Sequence, residues 1–246
     1  YKQNTVRMAT TTSVDNSCLL KVLLPVFEKK YNIKVHVISV GSGNALKLAE
    51  NGDVDAVLVH DIEMEMEFIK KSFGVDRKAL FYNYFVIVGP KEDPANIKNL
   101  KKASDAFREI SKGKVTFVSR GDKSGTHQKE LALWKEIGIY PNFPWYIETG
   151  QNMESTLIMA DEKKAYCLTD KATYISCEDK IETVILFEKD PSLKNIYSMI
   201  ITNPSLHPHT KYKEAKLFMD WLSSEEGKNL VNNFKKKEKV LFQTFD

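Results

Sequence analysis

The chain alternates between two hydrophobic periodicities from its first residues, and that alternation limits its fold more than any other feature. Residues 5–8 alternate as a strand does, residues 17–31 carry helical spacing, and Ile33-Lys34-Val35-His36-Val37-Ile38-Ser39-Val40 returns to period two. Strand, helix, strand in that order is the βαβ unit of a parallel sheet. A short helix over 44–50 ends at Asn51-Gly52, residues 54–59 read as the next strand, and a helix over 62–73 stops at Gly74. The apolar run 79–88 ends in Gly89-Pro90-Lys91-Glu92-Asp93-Pro94, punctuation suited to a chain leaving one lobe.

A second alternating block follows: helix 97–112, strand 115–118, helix 125–137, short strand 145–148, helix 153–161, and strands 165–168 and 183–187. After Asp190-Pro191, residues 196–202 are extended again, and helices over 212–222 and 225–234 close the chain. The pattern predicts an α/β fold of two Rossmann-like lobes joined by two crossover strands. Lobe I takes residues 1–88 and 192–246, and lobe II takes 89–191. There is no internal repeat and no low-complexity tract.

Composition narrows the function classes. A chain of 246 residues with 42% hydrophobic content buries a sizeable core. Its net charge is only +3 with both signs interspersed, and the one dense basic run, Lys235-Lys236-Lys237-Glu238-Lys239, reads as a solvated face. No nucleic-acid partner is expected. No stretch of eighteen apolar residues is present, so no membrane span is expected. The first residues carry no charged-then-apolar leader, the appearance of a processed chain. Cys18, Cys167 and Cys177 form no CxxC pair, which excludes a zinc ribbon or thioredoxin motif. Cys167 and Cys177 can bridge only if the fold brings them together; buried thiols are the simpler reading.

Three strand-to-helix turns carry small polar residues: Thr10 to Ser17 with its hydroxyl run, Gly41-Ser42-Gly43-Asn44, and Ser119-Arg120-Gly121-Asp122-Lys123-Ser124-Gly125-Thr126. In a parallel sheet such turns share the carboxyl edge, where α/β folds bind ligands. Helix N-termini offer unpaired N–H groups and a positive dipole end, and hydroxyls add donors, so three such turns can hold an anion with little formal charge. Each turn alone is also an ordinary N-cap. Arg120 is the cation inside one of them, with glycine beside it and Asp122 to orient it.

Enzyme motifs fail on inspection. Gly121-Asp122-Lys123-Ser124-Gly125 places serine one position too late for a nucleophile elbow, no phosphate-cradling NTPase loop occurs, and Leu46 stands where a dinucleotide fingerprint needs its third glycine. The five histidines are scattered. His127, beside Thr126, could donate to an anion, with capping or a surface position as the simpler role, and His207-Pro208-His209 lacks companions at metal-ligand spacing. No nucleophile with a base and no carboxylate pair stands in the turns.

The segments Ala9-Thr10-Thr11-Thr12-Ser13, Gly41-Ser42-Gly43-Asn44-Ala45-Leu46, the run from Gly52 to His60, the run from Ser119 to His127, and Tyr166-Cys167-Leu168-Thr169-Asp170-Lys171-Ala172-Thr173-Tyr174 come in the order seen in TupA-type tungstate-binding proteins. The chain resembles this family, the substrate-binding components of ABC importers, over essentially its whole length. The resemblance implies a type II periplasmic-binding-protein fold whose lobes close around a tetrahedral oxyanion, with hinges near Gly89 and Pro191. It implies a monomer in the periplasm, with lipid anchoring left open, that hands its cargo to a permease and ATPase. Tungstate or molybdate is the ligand, with no other cofactor, no cation site and no catalysis. Carried over residue by residue, the ligand set is Thr12 and Ser13, with Thr11, then Arg120, Ser124, Gly125 and Thr126. Ser42 fits the second helix start, and Asn152 and Thr169 are secondary candidates. Thr10 is assigned a structural role. Where relatives often carry glycine after the serine equivalent to Ser17, this chain has Cys18, which bears on how the first helix approaches its neighbours.

Molybdate, sulfate or phosphate binding are the alternatives within this class. The other classes are an enzyme on a phosphorylated or carboxylated substrate and the effector lobes of a transcription regulator. A regulator should open with a helix-turn-helix, whereas this chain opens with a strand.

Overall fold

The computed structural model describes residues 4–142 and 144–245. The chain divides into two compact units, Tyr1–Tyr82 with Ile196–Asp246 and Asn83–Asn195, and passes between them inside two long strands.

The first unit begins β1 (Asn4–Thr11), α1 (Thr12–Ser17), α2 (Leu19–Tyr31), β2 (Ile33–Val40), α3 (Ser42–Glu50), β3 (Ala56–Val59) and α4 (Ile62–Lys70), and β4 (Gly74–Gly89) leads out of it. The second unit contains α5 (Ala103–Gly113), β5 (Phe117–Ser119), α6 (Gly125–Glu136), β6 (Tyr146–Glu148), α7 (Met153–Glu162), β7 (Cys167–Asp170), α8 (Lys171–Cys177) and β8 (Val184–Phe187). A 3-10 turn, Pro191–Leu193, opens β9 (Lys194–Thr202), which returns the chain to the first unit. There α9 (Tyr212–Leu222), α10 (Glu225–Asn232), β10 (Lys235–Lys236), β11 (Lys239–Val240) and β12 (Gln243–Thr244) complete it.

In the first unit β1 is the inner strand, parallel to β2 on one side and β3 on the other. The run Ala56-Val57-Leu58-Val59 is wholly buried, as a strand covered on both faces requires. β9 pairs antiparallel with β3, from Ala56 opposite Ile201 to Val59 opposite Ser198, and β12 pairs with β4. The core on one face gathers Ala9, Ala45, Leu46, Val57, Phe68 and Ile200.

In the second unit β4 takes β7 and β8 antiparallel, and β5 runs parallel to β6. Helix α5 turns Ala103, Ala106, Phe107 and Ile110 inward at the spacing of one helix face. Phe107, Phe117 and Trp134 meet in the core, the closest ring centroids being 4.3 Å apart.

Several boundaries differ from the sequence reading for local reasons. The single helix expected over 17–31 is two helices, broken at Cys18, which takes a left-handed φ of 68°. The helix expected from residue 97 starts at Ala103, because the Asp93 carboxylate binds the N–H groups of Ile97 and Lys98 into a turn and Asp190 accepts the Ala103 N–H. The strand expected over 165–168 lies at Cys167–Asp170, and α8 follows it unanticipated, capped by Asp170 through the N–H and hydroxyl of Thr173. The basic run forms the hairpin β10–β11, with Lys237 and Glu238 both at positive φ in its turn. All three cysteines are free thiols, so Cys167 and Cys177 are buried but unbridged. Among the described residues no helix is long and apolar enough to cross a membrane.

Candidate functional site

Parallel register places the first unit's polar turns side by side. Thr11 lies opposite Val40 on β2 and Thr10 opposite Leu58 on β3, so α1 and α3 both start at the carboxyl edge of the sheet. Thr10 is wholly buried and its hydroxyl donates to the Leu58 carbonyl at 2.8 Å, which commits it to the sheet. Thr11 is buried and exchanges a 3.0 Å hydrogen bond with the Ser13 hydroxyl. Thr12 is exposed and Ser42 half-buried, and neither side chain is hydrogen-bonded to a described residue. Neither helix start is capped by a side chain, since Thr11 and Gly41 at the two N-cap positions make no such bond. Their first N–H groups are therefore left for solvent or a ligand.

Sequence reasoning missed one group on this edge. Tyr197 on β9 brings its hydroxyl to 3.5 Å from Ser13, and its ring lies against His60 with centroids 5.1 Å apart. The antiparallel pairing of β9 with β3 puts it there, and nothing in the local pattern of residues 196–202 signalled that pairing.

The second unit builds its turn differently. The chain leaves β5 at Ser119 and enters α6 at Gly125. Between them Gly121 takes φ +60°, and a Cβ at that position would stand 2.6 Å from the Cβ of Glu148, so only glycine fits. The turn is tied to the segment before α7: Gly150 N–H donates to the Arg120 carbonyl, Thr149 N–H to the Ser119 carbonyl, and the Thr149 hydroxyl pairs with Thr156.

Arg120 is held inside this frame. One terminal nitrogen donates to Asp122 at 2.5 Å, while its Nε is buried with no acceptor. Burial disfavours the Asp122 carboxylate, yet hydrogen bonds from the Ser124 hydroxyl and N–H, together with the Arg120 charge, hold it below the ordinary carboxylate range. Ser124 caps α6 by accepting from the His127 N–H. Gly125 is exposed, and Thr126 is buried without a hydrogen bond to a described residue.

The two secondary candidates lie in the same unit in other roles. Asn152 caps α7 through the Ser155 N–H. Thr169 is wholly buried, and its hydroxyl donates to the Asp170 carbonyl. The structure thus brings Thr11, Thr12, Ser13 and Ser42 together in one unit, and Arg120, Ser124, Gly125 and Thr126 in the other.

Two further groups surround the second turn. Glu130 on α6 is buried and accepts from the Tyr146 hydroxyl at 2.6 Å and the Trp134 indole N–H at 3.1 Å. Burial outweighs these donors and pushes it up to about 7. His127 is also buried, and its Nδ1 accepts from the Lys123 N–H. Among the described residues no group of three or more His, Cys, Asp and Glu side chains could hold a metal ion.

Residues 2–226 match the family described as PBP superfamily domain. The tungstate-binding protein TupA of Campylobacter jejuni is 43% identical over 235 residues, covering 94% of this chain and 87% of that protein. TupA of Peptoclostridium acidaminophilum is 40% identical over 239 residues, covering 96% and 83%. The solved structure of the tungstate-binding protein TupA from Desulfovibrio alaskensis G20 superposes with a TM-score of 0.94 at 41% identity, covering 98% of this chain and 99% of that one. These relatives are named as binding proteins, not enzymes.

Proposed function

Because the chain belongs to the periplasmic-binding-protein superfamily, and within it to the TupA-type tungstate-binding proteins, we propose that it binds tungstate outside the cytoplasm and passes it to an ABC importer. The cargo leaves unchanged, the chain acts as a monomer, and its partners are the importer's permease and ATPase. The observation that carries the reading is the Arg120 Nε–H, a charged donor buried with no acceptor. An unmet buried donor costs about 1 to 3 kcal/mol and more when charged, and an oxyanion oxygen would satisfy this one.

The donor sets suit this ligand. Tungstate at neutral pH is a dianion with four acceptor oxygens and no proton, and the hydroxyls of Thr11, Thr12, Ser13 and Ser42 with the N–H groups at Gly125 and Thr126 supply donors. The nearest carboxylate, Asp122, already accepts from Arg120 and from Ser124 on its two oxygens. A protonated oxyanion such as phosphate needs an acceptor as well, and both Asp122 oxygens are already engaged. On this reading Thr11, Thr12, Ser13 and Ser42 form one donor set and Arg120, Ser124, Gly125 and Thr126 the other, with Asn152 and Thr169 as secondary members.

Titration calorimetry with tungstate, molybdate, sulfate and phosphate, on the wild type and on Arg120→Ala, tests it. Tungstate should bind tightest and the variant should lose most of that affinity. A wild type that binds no oxyanion would end the proposal.

A further inference from the structure

Among the described residues three buried side-chain polar atoms have no hydrogen-bond partner: Glu65 Oε1, Arg120 Nε and His127 Nε2. The first is an acceptor in the other unit. The last two are nitrogens of one turn, between β5 and the first residues of α6.

The state of His127 follows from its other nitrogen. The Lys123 N–H donates to Nδ1 at 3.0 Å, so Nδ1 is the acceptor and the neutral ring carries its hydrogen on Nε2. That bond ties the ring to the loop preceding α6, the helix whose first N–H groups belong to Gly125 and Thr126. Nε2–H is therefore a donor, enclosed in a residue only 5% exposed and left without an acceptor. Glu148 Oε1 is 3.8 Å away, beyond hydrogen-bond reach, on a side chain that is 57% exposed. A tautomer fixed by a backbone N–H, with its other nitrogen enclosed and unpartnered, leaves one directed donor for a ligand.

Resting on the oxyanion-binding reading above, we infer that His127 donates its Nε2–H to the bound tungstate beside Arg120. The backbone of Lys123 acts as the positioning group that keeps the ring a donor. A neutral imidazole adds no charge, so its contribution is directional. It selects for an oxygen at one position in the turn, and it has nothing to offer a ligand that presents a proton there.

The test uses the full chain labelled with 15N histidine, with the His127 resonances identified by their loss in His127→Gln. Long-range proton–nitrogen correlation should show the Nε2–H form in the free protein. Saturating sodium tungstate should shift Nε2 and slow exchange of its proton. His127→Ala should lose tenfold or more in tungstate affinity by calorimetry, and His127→Gln, which keeps a donor near the Nε2 position, should regain part of it. Glu148→Gln should leave both readouts unchanged. If the wild type binds tungstate while the Nε2 signal stays in place, the inference is wrong and the functional reading stands. If the signal responds to Glu148→Gln instead of tungstate, Nε2–H belongs to Glu148 and the inference is equally wrong. If the wild type binds no oxyanion, both fall. The resonance measurement on the wild type holds even where a variant fails to fold.

Discussion

In the first unit the donors at the sheet edge are neutral hydroxyls on two helices that no side chain caps, and Thr12 and Ser42 are committed to nothing. In the second unit the donors sit in a turn that is already wired: Arg120 to Asp122, Asp122 to Ser124, Ser124 to His127, His127 to Lys123. One edge holds adaptable groups that solvent can satisfy in the absence of ligand. The other holds charge and orientation in a preset frame, with two buried nitrogens left over. On the proposed reading, the second unit's turn would carry direction and strength, and the first unit's hydroxyls would be the adaptable donors. Preset donors aimed at developing or bound charge act without reorganisation, so most of the affinity should reside in the Arg120 turn.

The largest expected effect lies there. Arg120→Ala removes the only full charge among the candidate donors and leaves Asp122 without its partner, and tungstate affinity should fall a hundredfold or more, about 3 kcal/mol. Calorimetry checks it. A loss smaller than that of any single hydroxyl variant in the first unit would reverse the assignment.

Next comes the frame itself. Glu130, pushed up to about 7, keeps a proton in the folded chain that the unfolded chain has released above the ordinary glutamate value of 4.5. Folding stability therefore falls as pH rises across that window and levels off above it, by about 3 kcal/mol for a shift of this size. Glu130→Gln should remove this component. The difference between wild type and variant in urea unfolding at about pH 5 and about pH 8 reads it directly. Asp122, held low, acts only at more acid pH and equally in both proteins. An unchanged pH slope in the variant would mean the carboxyl is not buried in its neutral form.

Gly121→Ala sharpens the same point, since the added Cβ meets both a left-handed φ and the Glu148 side chain. It should cost about 2 kcal/mol of stability and weaken tungstate binding through displaced Arg120. In the first unit, Thr12→Ala should cost about 1 kcal/mol of binding and nothing measurable in stability. Thr10→Val should do the opposite, since its hydroxyl serves Leu58. If the two exchange roles, the free and committed hydroxyls have been assigned the wrong way round.

Much of this was legible in the residues because periodicity and punctuation are local. The βαβ opening, the α6 start at Gly125 and the α9 bounds follow from spacing and caps. What escaped depends on partners distant in the chain. Asp93 and Asp190 hold back the start of α5 from either side of the second unit. Tyr197 reaches Ser13 only through the β3–β9 pairing. His127 looked like an ordinary cap neighbour, because its role depends on a backbone N–H facing one ring nitrogen and on the burial of the other without a hydrogen-bond partner. Glu130 carries no local signal of its burial, which depends on Trp134 and on Tyr146 from β6.

The smallest effect concerns how the first unit aims its hydroxyls. Cys18 joins α1 to α2 at φ 68°, a conformation that costs a non-glycine residue about 1 kcal/mol, and its half-buried thiol makes one long contact, 3.8 Å to the Asn16 carbonyl. Cys18→Gly removes that strain but adds freedom to the unfolded chain, which offsets part of the gain. The net should be a stabilisation of about 0.5 kcal/mol, seen as a higher urea midpoint with an unchanged slope. Tungstate affinity should stay the same, because α1 already holds the geometry that glycine would allow. A shift in affinity would show that the left-handed junction itself steers Thr12 and Ser13, and the adaptable edge would then be as preset as the Arg120 turn.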